Sequence, residues 1–146
     1  MSTCTFFGHR DCPSTIKPKL RKVLVNLIEH CGVTEFYVGR QGAFDAQVRT
    51  VLRELSAEYS RIHYAVVLER LPDKQLCPEE EVFSDTMLPE GMELAPPRYA
   101  ISWRNDWLLK QADYVVTYIT HSWGGAAQFA AKAVRQKKTV INLADF

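Results

Sequence analysis

Hydrophobic positions along this chain follow two alternating rhythms. Short stretches rich in apolar and β-branched residues, Cys4-Thr-Phe-Phe7, Glu35-Phe-Tyr-Val38 and Ile62-His-Tyr-Ala-Val-Val-Leu68, have the length and composition of buried strands. Between them, Leu20, Val23, Leu24, Leu27, Ile28 and Cys31 recur at helical spacing, as do Phe44, Val48, Val51, Leu52 and Leu55. Pro18 suits the first turn of the first helix, and Gly32 stands where a C-terminal cap belongs. A third helix is predicted from about Tyr99 to Gln111. A final unit follows, with a strand over 113–119, a turn at Gly124-Gly125, a helix to about Gln136 and a strand over Thr139–Leu143.

Five predicted strands thus alternate with four helices, which predicts an α/β fold. The expected form is a Rossmann-like three-layer α/β/α sandwich with a mainly parallel five-stranded sheet, in one domain over 1–146. The rhythm fails from about 69 to 97, where Pro72, Pro78, Pro89, Pro96 and Pro97 and the acidic run Glu79-Glu80-Glu81 predict a long loop. Such a loop is either functional or a decorative insertion. No internal repeat or low-complexity tract is present.

In open parallel sheets, ligands bind beyond the carboxyl ends of the strands, where the strand order reverses. The chemistry-bearing residues of this chain gather at those predicted ends. Gly8-His9-Arg10 follows the first strand: the glycine admits a close backbone approach, and the arginine can grip a phosphate or carboxylate bidentately. The alternative is a plain turn with Arg10 paired to Asp11. Gly39-Arg40-Gln41-Gly42 follows the second strand, and Asp45 falls in the next helical turn, placed to accept ribose hydroxyls or to cap N–H groups. The spacing is not the G-x-G-x-x-G dinucleotide fingerprint, which disfavours an ordinary NAD dehydrogenase. Arg104-Asn105 lies in the third helix, with Arg104 aimed toward the sheet edge or toward solvent. Ser122-Trp123-Gly124-Gly125 follows the fourth strand and opens a helix of small residues, the arrangement that points free N–H groups and a positive dipole end at an anion. Trp123 either stacks on a base or packs under the loop.

Composition narrows the choice of partner. A formal charge of +1 supplies no broad field for nucleic acid or an anionic membrane, and no apolar run nears the roughly 20 residues that span a bilayer. Cys4, Cys12, Cys31 and Cys77 have no C-x-x-C spacing and no signal peptide precedes them, so reduced thiols and a cytoplasmic location are expected. His9 and His121 both follow strands, but two histidines with no carboxylate or thiolate partner do not make a metal site, and none is expected. Ser122 does not stand in G-x-S-x-G, which argues against a nucleophile-elbow hydrolase.

With Gly8-His9-Arg10, Arg104-Asn105 ahead of Asp113, and Gly124-Gly125 after the fourth strand, the chain resembles the SLOG superfamily over essentially its whole length, most nearly its YpsA-like and other small bacterial members. The resemblance implies a Rossmann-like fold that binds nucleotides or nucleotide-derived ligands at the strand ends. The superfamily includes lonely-guy phosphoribohydrolases, DNA-processing proteins and nucleotide-signalling sensor domains. Its enzymatic branch carries P-G-G-x-G-T-x-x-E, whose Glu works with an upstream Arg on the N-glycosidic bond of a nucleoside monophosphate. Here Gly124 and Gly125 match the first two glycines and Arg104 the upstream Arg, whereas Ala127, Gln128 and Ala131 replace the third Gly, the Thr and the Glu.

Half of that catalytic pair is missing. The expected function is therefore binding of a nucleotide-derived ligand, as a sensor or sequestering module, without a cofactor. The alternative is a phosphoribohydrolase that uses Arg104 with Asp45, or with the 79–81 run, in place of the lost Glu. Nucleic acid is disfavoured as a partner by the near-neutral charge. A homodimer is suggested by the resemblance and by the Trp103/Trp107 region.

Overall fold

The first strand, β1 (Ser2–Gly8), is buried on both faces from Cys4 to Phe7, and adjacent side chains of a strand point to opposite sides of its sheet. Phe6 and Phe7 accordingly enter two different cores. In the computed structural model, which describes residues 2–69 and 86–145, this strand is the centre of the molecule.

The chain continues through α1 (Lys17–His30), β2 (Val33–Val38), α2 (Gly42–Glu58) and β3 (His63–Val67). It then forms β4 (Thr86–Met87), α3 (Ala100–Gln111), β5 (Tyr114–Tyr118), α4 (Gly125–Arg135) and β6 (Thr139–Asn142). All five strand pairings are parallel, and the order is β4-β3-β2-β1-β5-β6. Consecutive strands add outward from β1 in one direction as far as β4, and the chain then returns to the other side of β1 with β5. The switch in strand order lies between β1 and β5.

The two cores correspond to two helix layers. Leu20, Leu24 and Leu27 of α1 and Val48, Leu52 and Leu55 of α2 pack with Phe6 and Phe36 on one face. Leu108 and Leu109 of α3 and Ala133 of α4 pack with Phe7, Val67 and Val115 on the other. A fully buried Leu or Phe contributes about 1.5–3 kcal/mol, so either layer is a substantial source of stability. The three-layer Rossmann-like architecture is the one the alternating rhythm predicts.

Among the described residues the sheet has six strands where five were expected. The additional one, β4, comes from the span 69–97 that the sequence assigns to a loop. Its two residues pair with Val66 and Val67 of β3, and two further short 3-10 turns, Met92–Leu94 and Pro97–Tyr99, organise the approach to α3. A two-residue strand is too short to leave a readable alternation, and the flanking prolines dominate the local pattern. Pro72, Cys77, Pro78 and the acidic run at 79–81 lie outside the described residues. No helix among the described residues is long and apolar enough to cross a membrane.

Candidate functional site

The carboxyl ends of β1, β2 and β5 open into a cavity of about 540 Å³ at the switch in strand order. Its β1 wall is Gly8, His9 and Arg10; its β2 wall is Gly39 and Gln41, with Asp45 of α2 behind them. Arg104 and Asn105 of α3 close a third side, and His121, Trp123, Gly124 and Gly125 close the fourth. Four segments far apart in sequence meet there because the parallel topology brings every strand-to-helix turn to one edge of the sheet.

Gly124 has φ 96, a backbone that L side chains rarely adopt, and it turns the chain into α4. Gly125 is the first residue of the helix, and a Cβ built on it meets no atom of the described residues within 4 Å. The first turn of α4, with its free N–H groups, therefore has open space before it. Gly42 serves a different purpose. Its φ is +84, and a Cβ there would lie 2.6 Å from the Arg10 backbone, so it packs the β2–α2 turn beneath the β1 loop. The Ala43 N–H donates to the Arg10 carbonyl at 2.9 Å and completes that junction. Gly39 makes room for charge: its Cβ would stand 2.8 Å from an Arg104 Nη and 2.9 Å from an Asp45 carboxylate oxygen.

Beneath the cavity lies a buried ionic cluster. Arg104 is 3% exposed; its Nη2 and Nε donate to Asn105 Oδ1 at 2.9 and 3.2 Å, and its Nη1 lies 3.5 Å from Glu69 Oε2. Arg40 binds the same carboxylate, with Nη2 3.0 Å from Glu69 Oε1 and Nε 3.4 Å from Oε2. Burial by itself would raise the Glu69 carboxyl, but the Arg40 hydrogen bond and the two guanidinium charges outweigh it and hold Glu69 below the ordinary carboxylate range. Asp45 has the opposite balance. Burial pushes it up to about 6, against the Gln41 N–H that donates to it at 2.8 Å and the charges of Arg104, Arg49 and Arg10.

That shift has a consequence for stability. Because the folded-state value of Asp45 stands above its ordinary 3.8, ionising this carboxyl opposes folding. Its favourable contribution is fully present below about pH 3.8 and is lost as pH rises through about 6. Asp45→Asn should therefore gain on the wild type between pH 4 and 6.5, by about 2–3 kcal/mol at most. Glu69 and His9, both held below their ordinary values, lose their contributions as pH falls and so act in the opposite sense. They are common to both proteins and drop out of the difference, so urea denaturation of the pair at several pH values is the measurement. A difference that stays flat over this range would show that Asp45 is ionised without penalty.

On the opposite wall three rings form a column. His9 stacks on His121 with centroids 3.7 Å apart and planes 14° apart, and His121 stacks on Trp123 at 3.8 Å and 17°. Among the described residues, His9 Nε2 and His121 Nδ1 are buried and have no hydrogen-bond partner. Trp123 is 69% exposed, so its outer face is open.

Of the residues singled out from the sequence, Gly8, His9, Arg10, Gly39, Gln41, Asp45, Arg104, Asn105, Trp123, Gly124 and Gly125 converge on this cavity. Arg40 and Gly42 do not line it: the first turns to Glu69 and the second packs under Arg10. Ser122 and Gln128 face away, into a shallower depression of about 440 Å³ bordered by Lys132 and Arg135 on α4. Arg10 does not pair with Asp11; it donates to Gln41 Oε1 at 3.0 Å across the mouth. Glu69 was missed by sequence reasoning. It follows the end of β3 closely, at the same sheet edge as the other groups, and that position was its one available signal.

Among the described residues, no group of three or more His, Cys, Asp and Glu side chains is arranged to hold a metal ion. The fold is Rossmann-like, with the cavity at its switch point, and no protein-family model and no curated protein matches the sequence.

Proposed function

We propose that this chain binds a nucleotide or nucleotide-derived ligand at the carboxyl ends of its strands, as a sensor or sequestering module of the SLOG type. The observation that carries the proposal is the opening of the α4 N-terminus, at Gly124-Gly125, into a cavity that also presents Arg10 and the Trp123 ring. Free N–H groups and a dipole end favour a phosphate, and an exposed indole face favours a base. The volume of about 540 Å³ falls within the range of small-molecule sites. Ala131, at the position of the enzymatic branch's Glu, supports binding over turnover. Mass spectrometry of ligand released from freshly purified protein, followed by calorimetry with nucleoside monophosphates, tests the proposal. Failure of every phosphate-bearing compound to bind would refute it.

One observation favours a second reading, hydrolysis of a nucleoside 5′-monophosphate. Asp45 lines the cavity with its carboxyl raised to about 6, in the range suited to a general acid. Among the described residues that line the cavity, Asp45 is the one carboxyl with a raised value, whereas glycosidic cleavage uses two acting groups. Wild-type protein incubated with a panel of nucleoside monophosphates should release no free base. Saturable release that disappears in Asp45→Asn would put the hydrolase reading in place of the binder.

A further inference from the structure

In the column of His9, His121 and Trp123, the two histidines are used by neither reading above. His9 follows β1 and His121 follows β5, the two strands that flank the switch point, and both residues line the cavity. The backbone N–H of His9 donates to the Tyr118 carbonyl at 3.2 Å, which anchors the β1 loop against β5. The placement of the two rings is thus set by the sheet.

Two features of the pair point to a ligand. A buried ring nitrogen without a partner leaves a hydrogen bond unmade, and this pair has two, His9 Nε2 and His121 Nδ1, on rings that wall the cavity. His9 is 8% exposed, so bulk water does not compensate it. The second feature is charge capacity. Rings whose centroids are 3.7 Å apart cannot both be cations without strong repulsion, whereas one imidazolium against a neutral imidazole and an indole is stabilised by both π faces. The pair has room for one proton.

We infer that His9 and His121 form a proton-coupled receptor for a phosphate-class anion: the stacked pair takes up one proton, held on one ring or the other, as the anion enters the cavity. The inference rests on the binding reading above and adds the regulation of that site by pH. The proton comes from solvent, so anion, proton and neutral pair combine to a complex in which an N–H of the imidazolium donates to a phosphate oxygen.

The surroundings fit this balance. Arg10 and Asp11 border the cavity from the β1 loop, Asp45 from α2, Arg104 from α3, and the positive end of α4 from beside Trp123. Burial first, and the neighbouring His121 second, lower the tendency of His9 to hold a proton in the empty cavity. An anion supplies the missing counter-charge and a hydrogen-bond acceptor together. Affinity for a phosphate monoester therefore falls as pH rises above neutrality.

The chain has four histidines, so imidazole resonances of labelled protein can be assigned with single His→Gln variants. The probes are AMP and inorganic phosphate. In wild-type protein at pH 7, saturation with AMP should move the His9 and His121 resonances together toward the imidazolium position. Calorimetry in two buffers of different ionisation enthalpy should report net uptake of a fraction of a proton near neutral pH, falling back toward zero once the pH exceeds the value at which the bound pair releases its proton, and never reaching two. His9→Gln and His121→Gln should each abolish the uptake and weaken AMP binding roughly tenfold to a hundredfold, the range of a charge-assisted hydrogen bond.

AMP bound with no proton uptake and unmoved resonances overturns the receptor and leaves the binding function standing. Uptake that persists undiminished in both variants also overturns it, because the proton then resides elsewhere. If neither AMP nor phosphate binds at any pH from 5.5 to 8, the receptor falls together with the function on which it rests. If a variant folds poorly, through-bond correlation of each imidazole to its own backbone in wild-type protein supplies the assignment, and the wild-type resonances and proton uptake then decide the question.

Discussion

Gly125→Val should abolish the proposed nucleotide binding and leave the thermal transition close to that of the wild type. Gly125 opens α4, and a Cβ at this position has open space around it, so no neighbour must shift to accept the new side chain. The first helical position also demands little, because its N–H has no intrahelical acceptor. A change of about 1 kcal/mol or less is expected, and a shift in melting temperature of about 4 °C or less. The isopropyl group instead occupies the volume before the first turn of α4, where an anion would accept from the free N–H groups. Calorimetry with AMP beside differential scanning calorimetry separates the two effects. Unchanged affinity would show that the anion does not sit at this helix end.

Arg104→Ala should have the largest effect on stability of any single change at the site. Its position ahead of the glycine turn suggests a guanidinium reserved for ligand. The structure places it 3% exposed, with Asn105 and Glu69 as fixed partners, so it supports the fold as well. Removing one member of a buried pair typically costs about 3–5 kcal/mol. Arg40 continues to neutralise Glu69 at 3.0 Å, which puts the expected loss at the lower end, about 3 kcal/mol, and the fall in melting temperature at about 10 °C. Binding measured well below the transition should weaken roughly tenfold to a hundredfold if Arg104 also meets the ligand. Urea denaturation and calorimetry on the same preparation give both numbers. An unaltered denaturation midpoint would mean that Arg104 contributes nothing to the cluster in which it lies. Adding Glu69→Gln tests the coupling: the double variant should lose less than the sum of the two single losses.

Much of the architecture follows from local pattern. The period-3.6 positions of α1 and α2 are all core-facing, and Gly32 takes a left-handed φ of 70 just beyond α1, as a C-terminal cap does. The opposed destinations of Phe6 and Phe7 need only the alternation of a strand. Parallel order follows from helices set between strands, since a parallel connection requires a crossover of that length. The gathering of Gly8, Gly39 and Gly124 at one edge is then a consequence of topology, legible before any coordinates.

Local pattern thus suffices for the α/β class, for the four helices and the five longer strands, and for the sheet edge where chemistry collects, but not for the two-residue β4. Which of those residues face the cavity is a matter of three-dimensional packing. Ser122 and Gln128 lie near Gly124 in sequence yet border the other depression, because the turn at Gly124 and the rotation of α4 send their side chains outward. Arg40 and Arg104 are equivalent as letters, but burial and the position of Glu69 pair both with one carboxylate. The column of His9, His121 and Trp123 joins residues more than a hundred positions apart. Contacts of that range depend on how two strands are placed side by side, and that placement is set by the packing of the whole core.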